Sequence, residues 1–181
     1  MSQAILQVAR AAEIYLLPGD FHFGGGDVRI HTVLGSCVSI AVWHPVLRIG
    51  GMSHSLLPSR CNPANHDPDG HYADEAVELL LRETAKRGTR PAEYRVRLIG
   101  GGNMFRQFFR EEAFNVAGSN VEAARILLEA AGFGIHAEHV GGNGHRNIVF
   151  DLRDGRVSVR HVGSTVNHEA PIPPRTTGCC P

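Results

Sequence analysis

Two short apolar runs joined by a four-residue link are the feature that most constrains the fold of this chain. The first run, Val38–Trp43, alternates and is rich in β-branched side chains, and the second extends from Ile49 to Leu57. The link at 44–47 is too short for a parallel return, which needs a crossover of about a dozen residues. The pattern therefore predicts an antiparallel hairpin.

This hairpin brings a cysteine and a histidine together. If its loop is symmetric about the Pro45–Val46 bond, Cys37 lies directly opposite His54. Directly opposite residues share a face and have Cβ atoms roughly 4.5–5.5 Å apart. A thiol and an imidazole at that separation can exchange a proton, as a cysteine nucleophile requires. The alternative is that both residues are only small buried members of the core.

Residues next to the pair supply the other parts of such a site. The backbone N–H groups of Gly35, Ser36 and Cys37 are candidate donors to an oxyanion, because glycine allows this turn to face a ligand. The Thr32 hydroxyl, on the strand that leads into the turn, is the first candidate to orient the imidazole. Three serines remain as alternatives for that role: Ser36, Ser53 and Ser55.

The remaining pattern predicts an α+β domain, a layered α/β sandwich with a mixed, largely antiparallel sheet and two main amphipathic helices. The first helix spans 71–87 and ends at Gly88, and the second opens at Ser119 with Glu122 in a capping box and ends before Gly132. Seven or eight strands are expected. They include 28–33, 94–99, 135–140 and a hairpin of 147–152 with 156–162.

Two glycine clusters and several side-chain groups complete this interpretation. Gly24–Gly26 predicts a flexible turn, and Gly100–Gly102 predicts a tight turn or a close backbone approach. The aromatic cluster at 104–109 is interpreted as core. The basic residues of the last hairpin, Arg146 among them, are interpreted as its solvated side.

Composition limits the classes of partner. The 181 residues favour a single domain at 1–163 and a disordered, proline-rich tail at 164–181. Eighteen basic and eighteen acidic residues cancel, so no nucleic-acid partner is expected. Neither a membrane-spanning stretch nor a secretory signal is apparent, which predicts a cytoplasmic protein without membrane insertion. The four cysteines, including adjacent Cys179 and Cys180, form no disulfide framework.

A metal site has little support in the pattern. Cys61, His66 and His71 recur at five-residue intervals and could be joined by Cys179 and Cys180. No C-x-x-C or H-E-x-x-H spacing accompanies them, so no metal is predicted.

Several segments, in order, resemble the CheD family of bacterial chemoreceptor glutamine deamidases. They are LGSCVSIAVWHPVLRIGGMSHSLLP, HYADEAVELLL, LIGGGNMF and NVEAARILLEAAGFGIHAEHVGGNGHRNIVFDLRDGRVSVR, and the resemblance covers about residues 13–162. It implies hydrolysis of receptor glutamine side chains to glutamate without a cofactor, with Cys37 as nucleophile, His54 as base and a threonine as third member. The family pattern has that threonine one residue farther from the cysteine, where this chain has His31, so Thr32 and His31 both remain candidates.

The resemblance also leaves other functions open. Proteins similar to this family can act as non-enzymatic chemotaxis adaptors that bind receptors or a CheC-type phosphatase. A thiol peptidase or a transglutaminase-like enzyme would use the same pair of residues. The intact Cys37 and His54 pair favours an enzyme acting on the cytoplasmic domains of methyl-accepting chemoreceptors.

Overall fold

The computed structural model describes residues 11–60, 67–103 and 115–163, and within these ranges the chain forms nine strands and two α-helices. The strands are β1 Ala12–Tyr15, β2 Phe21–Gly25, β3 Val28–Leu34, β4 Val38–His44, β5 Ile49–Ser53, β6 Arg95–Gly100, β7 Ile135–Val140, β8 His145–Asp151 and β9 Arg156–Val162. The helices are α1 Ala73–Lys86 and α2 Val116–Ala130, with a 3-10 turn at Pro91–Glu93. No helix in the described ranges is long and apolar enough to cross a membrane.

The strands divide between two sheets, in the orders β1-β3-β8-β9 and β2-β5-β4-β6-β7. The β1–β3 and β6–β7 pairs are parallel, and the other five neighbouring pairs are antiparallel. The predicted α+β class with largely antiparallel pairing is confirmed. Its division into two sheets was not visible in the pattern, because alternation shows that a strand has a buried face without showing what covers that face.

Strand β4 lies at the centre of the layers, and all of its residues are buried. Val38, Ile40 and Val42 face the helices, where they pack in a cluster with members of α1 and α2. Ala41 and Trp43 face the four-stranded sheet. The five-stranded sheet is therefore the middle of three layers. We call its two packed faces the helix-side core and the inter-sheet core.

The first helix agrees with its prediction, but the start of the second was predicted wrongly. α2 begins at Val116 rather than at Ser119. The reason is the Asn115 side chain, which accepts a hydrogen bond of 2.9 Å from the Gly118 N–H and so caps the first turn. Ser119 already lies inside the helix and donates its N–H to the Asn115 carbonyl.

The first glycine cluster also differs from its prediction. Gly24 and Gly25 belong to the edge strand β2, where they pair with Gly50 and Ile49 of β5, and the turn is confined to Gly26 and its successor. The predicted tail at 164–181 and the cluster at 104–109 lie outside the described residues, and the domain boundary at 163 stays a prediction.

Candidate active site

The turn between β3 and β4 carries Cys37 to one end of the inter-sheet core. The Cys37 side chain is half-buried and packs against that core. All three carbonyls of the turn accept hydrogen bonds from elsewhere in the fold. The Gly102 N–H donates to Gly35 and the Gly101 N–H to Cys37, both at 2.8 Å, and the Asn120 side chain donates to Ser36.

The close approach predicted for Gly100–Gly102 is confirmed, and its target is this turn. A Cβ on Gly100 would lie 2.2 Å from the Cys37 carbonyl oxygen, a distance shorter than real Cβ atoms show. Gly100 and Gly101 also have φ values of +121° and +61°, which side chains rarely adopt. The glycines therefore allow the end of β6 to hold the cysteine turn by its backbone.

With the three carbonyls engaged, the N–H groups of Gly35 and Ser36 donate no hydrogen bond to any described residue, and the Cys37 N–H interacts with its own thiol. The unpaired N–H groups of this turn are therefore available as oxyanion donors beside the candidate nucleophile.

His54 lies just beyond the end of β5 and is 2% exposed, and the hydrogen bonds of Thr32 assign its tautomer. Thr32 Oγ1 lies 2.8 Å from His54 Nδ1 and donates its only proton to the Leu16 carbonyl at 2.9 Å. Thr32 must therefore accept from a protonated Nδ1, which leaves a lone pair on Nε2. Nε2 itself is buried and has no hydrogen-bond partner. It is the atom free to take a proton.

The predicted hairpin register is wrong by two residues. β4 and β5 pair Ala41 with Met52, and the isolated bridge of Val38 with Ser55 continues the same register. The loop contains four residues, 45–48, because Arg48 has a φ of +53° and donates its N–H to the His44 carbonyl. In this register Cys37 and His54 are not directly opposite.

The two-residue shift moves His54 to a diagonal position but keeps it on the face of Cys37. In a regular sheet, diagonal neighbours are roughly 7–8 Å apart. Accordingly, no hydrogen bond joins the Cys37 thiol to His54 Nε2. The His54 backbone also leaves the β4 ladder, because its N–H donates to Asp20 and its carbonyl accepts from Gly19.

The structure brings Thr32, and not His31, to the imidazole. Successive residues of β3 point to opposite faces, and His31 contacts Glu13 through Nε2 while its ring stacks on Tyr15 at 4.7 Å. Among the serine alternatives, the Ser53 hydroxyl lies 3.3 Å from the Ile40 N–H, and the buried Ser55 hydroxyl has no partner.

Burial favours the neutral form of both members of the pair. Desolvation raises the pKa of the Cys37 thiol, an effect that its own backbone N–H partly opposes. Desolvation also lowers the pKa of His54, and the nearby His71 adds to this effect, whereas the Leu16 carbonyl and Asp20 oppose it. The resting state indicated is a thiol beside a neutral imidazole, not a preformed thiolate.

Two buried polar residues near this end were not identified as site residues from the sequence. Asn120, on α2, is fully buried and donates from Nδ2 to the carbonyls of Ser36 and Leu56. Arg146 was interpreted as solvated, which is wrong. It is 1% exposed, and its Nε donates to His139 at 2.9 Å. In both cases the sequence signal was a polar residue at a position where the periodicity of its helix or strand predicts burial.

The described residues contain no group of three or more histidine, cysteine, aspartate or glutamate side chains that could hold a metal. Of the spacing considered for zinc, Cys61, His66, Cys179 and Cys180 lie outside the described ranges. The His71 ring lies 3.1 Å from Asp69.

Comparison with known proteins places these residues in a family. The family model described as CheD chemotactic sensory transduction matches residues 56–161. A relative from Pseudomonas savastanoi pv. phaseolicola, named "Probable chemoreceptor glutamine deamidase CheD", is 50% identical over 152 residues, which are 83% of this chain and 85% of the relative. The "Probable chemoreceptor glutamine deamidase CheD 3" of Dechloromonas aromatica is 46% identical over 80% of this chain and 85% of its own.

Among solved structures, YlmD from Geobacillus stearothermophilus is similar with a TM-score of 0.45 and 14% identity, covering 75% of this chain and 61% of that one. The Bacillus licheniformis hypothetical protein YfiH has a TM-score of 0.41, with 66% and 49% covered. The family match and the identity to these relatives, over most of both chains, show that this chain belongs to the CheD family.

Proposed function

We propose that this protein hydrolyses glutamine side chains of chemoreceptors to glutamate through a cysteine nucleophile. The observation that carries the proposal is the hydrogen bond between Thr32 and His54 Nδ1, because it leaves the unpaired Nε2 on the face of Cys37. The relatives named as chemoreceptor glutamine deamidases supply the substrate class. A receptor domain as substrate implies that the reaction takes place in the cytoplasm. A CheC-type phosphatase as a second partner stays a prediction.

In the first half of the reaction, Cys37 Sγ attacks the carboxamide carbon and its proton passes to His54 Nε2. The amide oxygen becomes an oxyanion beside the N–H groups of Gly35, Ser36 and Cys37. The imidazolium then protonates the amide nitrogen, the carbon–nitrogen bond breaks, and ammonia leaves. The product of this half is a thioester between Cys37 and the receptor side chain.

In the second half, His54 Nε2 removes a proton from water, and the resulting hydroxide attacks the thioester. The carbon–sulfur bond breaks, the proton returns to sulfur, and glutamate is released. The lowered pKa of His54 makes its protonated form a stronger acid, which suits the protonation of a poor leaving group. Thr32 acts as a positioning residue, because it holds Nδ1–H and so keeps Nε2 available in both halves.

The reaction requires the thiol and Nε2 to approach within hydrogen-bond distance. Such contacts are often long without substrate and tighten in the complex. We assign this approach to the two side chains, because hydrogen bonds to the Cys37 and His54 carbonyls hold the backbones of both segments in place.

The experiment is mass spectrometry of receptor cytoplasmic domains incubated with the protein. A gain of about one mass unit at specific glutamines, lost in Cys37→Ala and retained in Cys61→Ser, is the expected result. Binding of the receptor without any mass gain would contradict the proposal and favour an adaptor. Free glutamine as a second substrate separates a receptor deamidase from a small-molecule amidase, because an enzyme that uses receptor contacts should turn free glutamine over far more slowly.

A further inference from the structure

We infer that Asn120 is a positioning residue of this reaction, holding the nucleophile turn and the base segment at a fixed separation. The inference rests on the proposed function for its catalytic consequence. Asn120 lies on α2 and is fully buried, and its neighbours on the buried face of the helix include Ala117, Val121 and Ala124. Burial of a carboxamide is unfavourable where it is not hydrogen-bonded; Asn120 Nδ2 makes two hydrogen bonds, whereas its Oδ1 has no partner among the described residues.

The Asn120 amide joins the two halves of the site directly. Nδ2 lies 3.2 Å from the Ser36 carbonyl and 2.7 Å from the Leu56 carbonyl. Ser36 immediately precedes Cys37, and Leu56 follows His54 by two residues. The two N–H bonds of one planar group are thus used by the segments that carry the thiol and the imidazole.

The amide acts at the point where the β-ladder between these segments ends. The last pair is Val38 with Ser55, which exchange two hydrogen bonds of 2.9 and 2.8 Å. Continued pairing would direct the Leu57 N–H to Ser36, but that N–H donates to the His71 carbonyl instead. Asn120 supplies the cross-link that the missing backbone pair would have made.

On α2, Asn120 positions the catalytic segments, whereas the apolar residues stabilise the fold. Other residues of α2, such as the fully buried Leu128, pack in the helix-side core through apolar side chains that form no hydrogen bond to either catalytic segment. Asn120 contacts backbone carbonyls and not the substrate. Its loss should therefore lower kcat and leave KM close to its wild-type value.

The test measures kcat and KM on the receptor domain for the full-length wild type, Asn120→Asp, Asn120→Ala and the matched α2 control Leu128→Ala. Aspartate keeps the shape but replaces both donors with acceptors that face two carbonyl oxygens. We expect kcat to fall by about 10²-fold in both Asn120 variants, the cost of a small misplacement of reacting groups. We expect Leu128→Ala to unfold more easily while the kcat of its folded fraction is unchanged.

A second readout does not depend on the substrate. The alkylation rate of Cys37 by iodoacetamide, followed against pH, should change in folded Asn120→Asp and stay at the wild-type profile in Leu128→Ala. Absence of deamidation by the wild type would overturn the proposed function. The alkylation measurement would still test the role of Asn120 in that case. Unchanged kcat and alkylation in a folded Asn120 variant, an equal kcat loss in Leu128→Ala, or loss of the fold in both Asn120 variants would each overturn the positioning role.

Discussion

The two cores on either side of β4 show how one strand serves both stability and chemistry. The helix-side core is composed of apolar side chains, with Val38, Ile40 and Val42 from this strand. The inter-sheet core is apolar along its middle. Near the N-terminal end of β4, next to Cys37, it also contains the buried polar residues Thr32 and His54.

Both faces bury β4 equally, so burial alone does not distinguish them. The two cores differ in their polar residues, which lie in the inter-sheet core where the strands end. At these ends regular pairing stops, and glycine turns leave backbone groups unpaired. Four experiments, three with substitutions and one with pH, test this difference between the two cores.

The largest effect is expected for Cys37→Ala. Loss of the nucleophile removes the covalent route, so ammonia release from the receptor domain should fall by at least about 10³-fold. The melting temperature should change little, because the lost side chain is small and half-buried. Wild-type turnover in this variant would contradict the assignment of Cys37.

The same substitution at two buried threonines compares the layers directly. Thr32→Val removes the acceptor of His54 Nδ1–H and should lower kcat by about 10- to 10²-fold, because the imidazole loses its fixed tautomer. Thr84→Val, on α1, removes only a bond to the Leu81 carbonyl and should leave kcat unchanged.

Two further variants of β3 sharpen the threonine test. Thr32→Ser keeps the hydroxyl and should restore most of the activity. His31→Ala should retain activity, since its ring faces Tyr15. Loss in His31→Ala with retention in Thr32→Val would reverse the assignment.

Leu80→Ala tests the helix-side core. Leu80 is fully buried on α1, and its truncation should lower the free energy of unfolding by about 2–5 kcal/mol. Activity per folded molecule should stay within about twofold of wild type, because the site lies on other elements. Chemical denaturation followed by an activity assay measures both. A selective loss of activity would show that the two cores are not independent.

The smallest effect concerns pH. His54 must be neutral to act as base, and its pKa is lowered, so kcat/KM should fall on the acid side only below the ordinary histidine range. The Cys37 pKa is raised, so the fraction of thiolate at neutral pH is smaller than for a free cysteine, and alkylation should increase at higher pH than usual. An acid limb above the ordinary histidine range would indicate a preformed ion pair.

The sequence predicted those features that depend on side-chain periodicity. The alternation in β4, the apolar stripe of α1 and the short link after β4 led to the layered α+β class and to the hairpin that carries Cys37 and His54. Thr32, the first of several candidates to orient His54, lies 2.8 Å from Nδ1, whereas the choice between it and His31 was open in the sequence. Its role in catalysis remains a proposal.

Features that depend on backbone geometry were harder to predict. The register was predicted wrongly because the four-residue loop is 45–48 and not 44–47, with Arg48 at a positive φ that nothing in an arginine indicates. The start of α2 was predicted wrongly because Asn115 and Ser119 are both good N-cap residues. Which of them caps the helix depends on which side chain reaches a free N–H. Asn120 was missed because its partners are carbonyls far along the chain, and Arg146 because its partner is a histidine ring on a strand of the other sheet.

Acid quenching during turnover tests whether Cys37 forms a thioester with a receptor glutamine. The protein and a receptor cytoplasmic domain are mixed, quenched, and examined by intact mass and peptide mapping. We predict a conjugate with the summed mass less one ammonia, linking Cys37 to a glutamine, cleaved by hydroxylamine and absent from Cys37→Ala. Deamidated receptor that accumulates equally with the wild type and with Cys37→Ala, without any conjugate, would contradict the account.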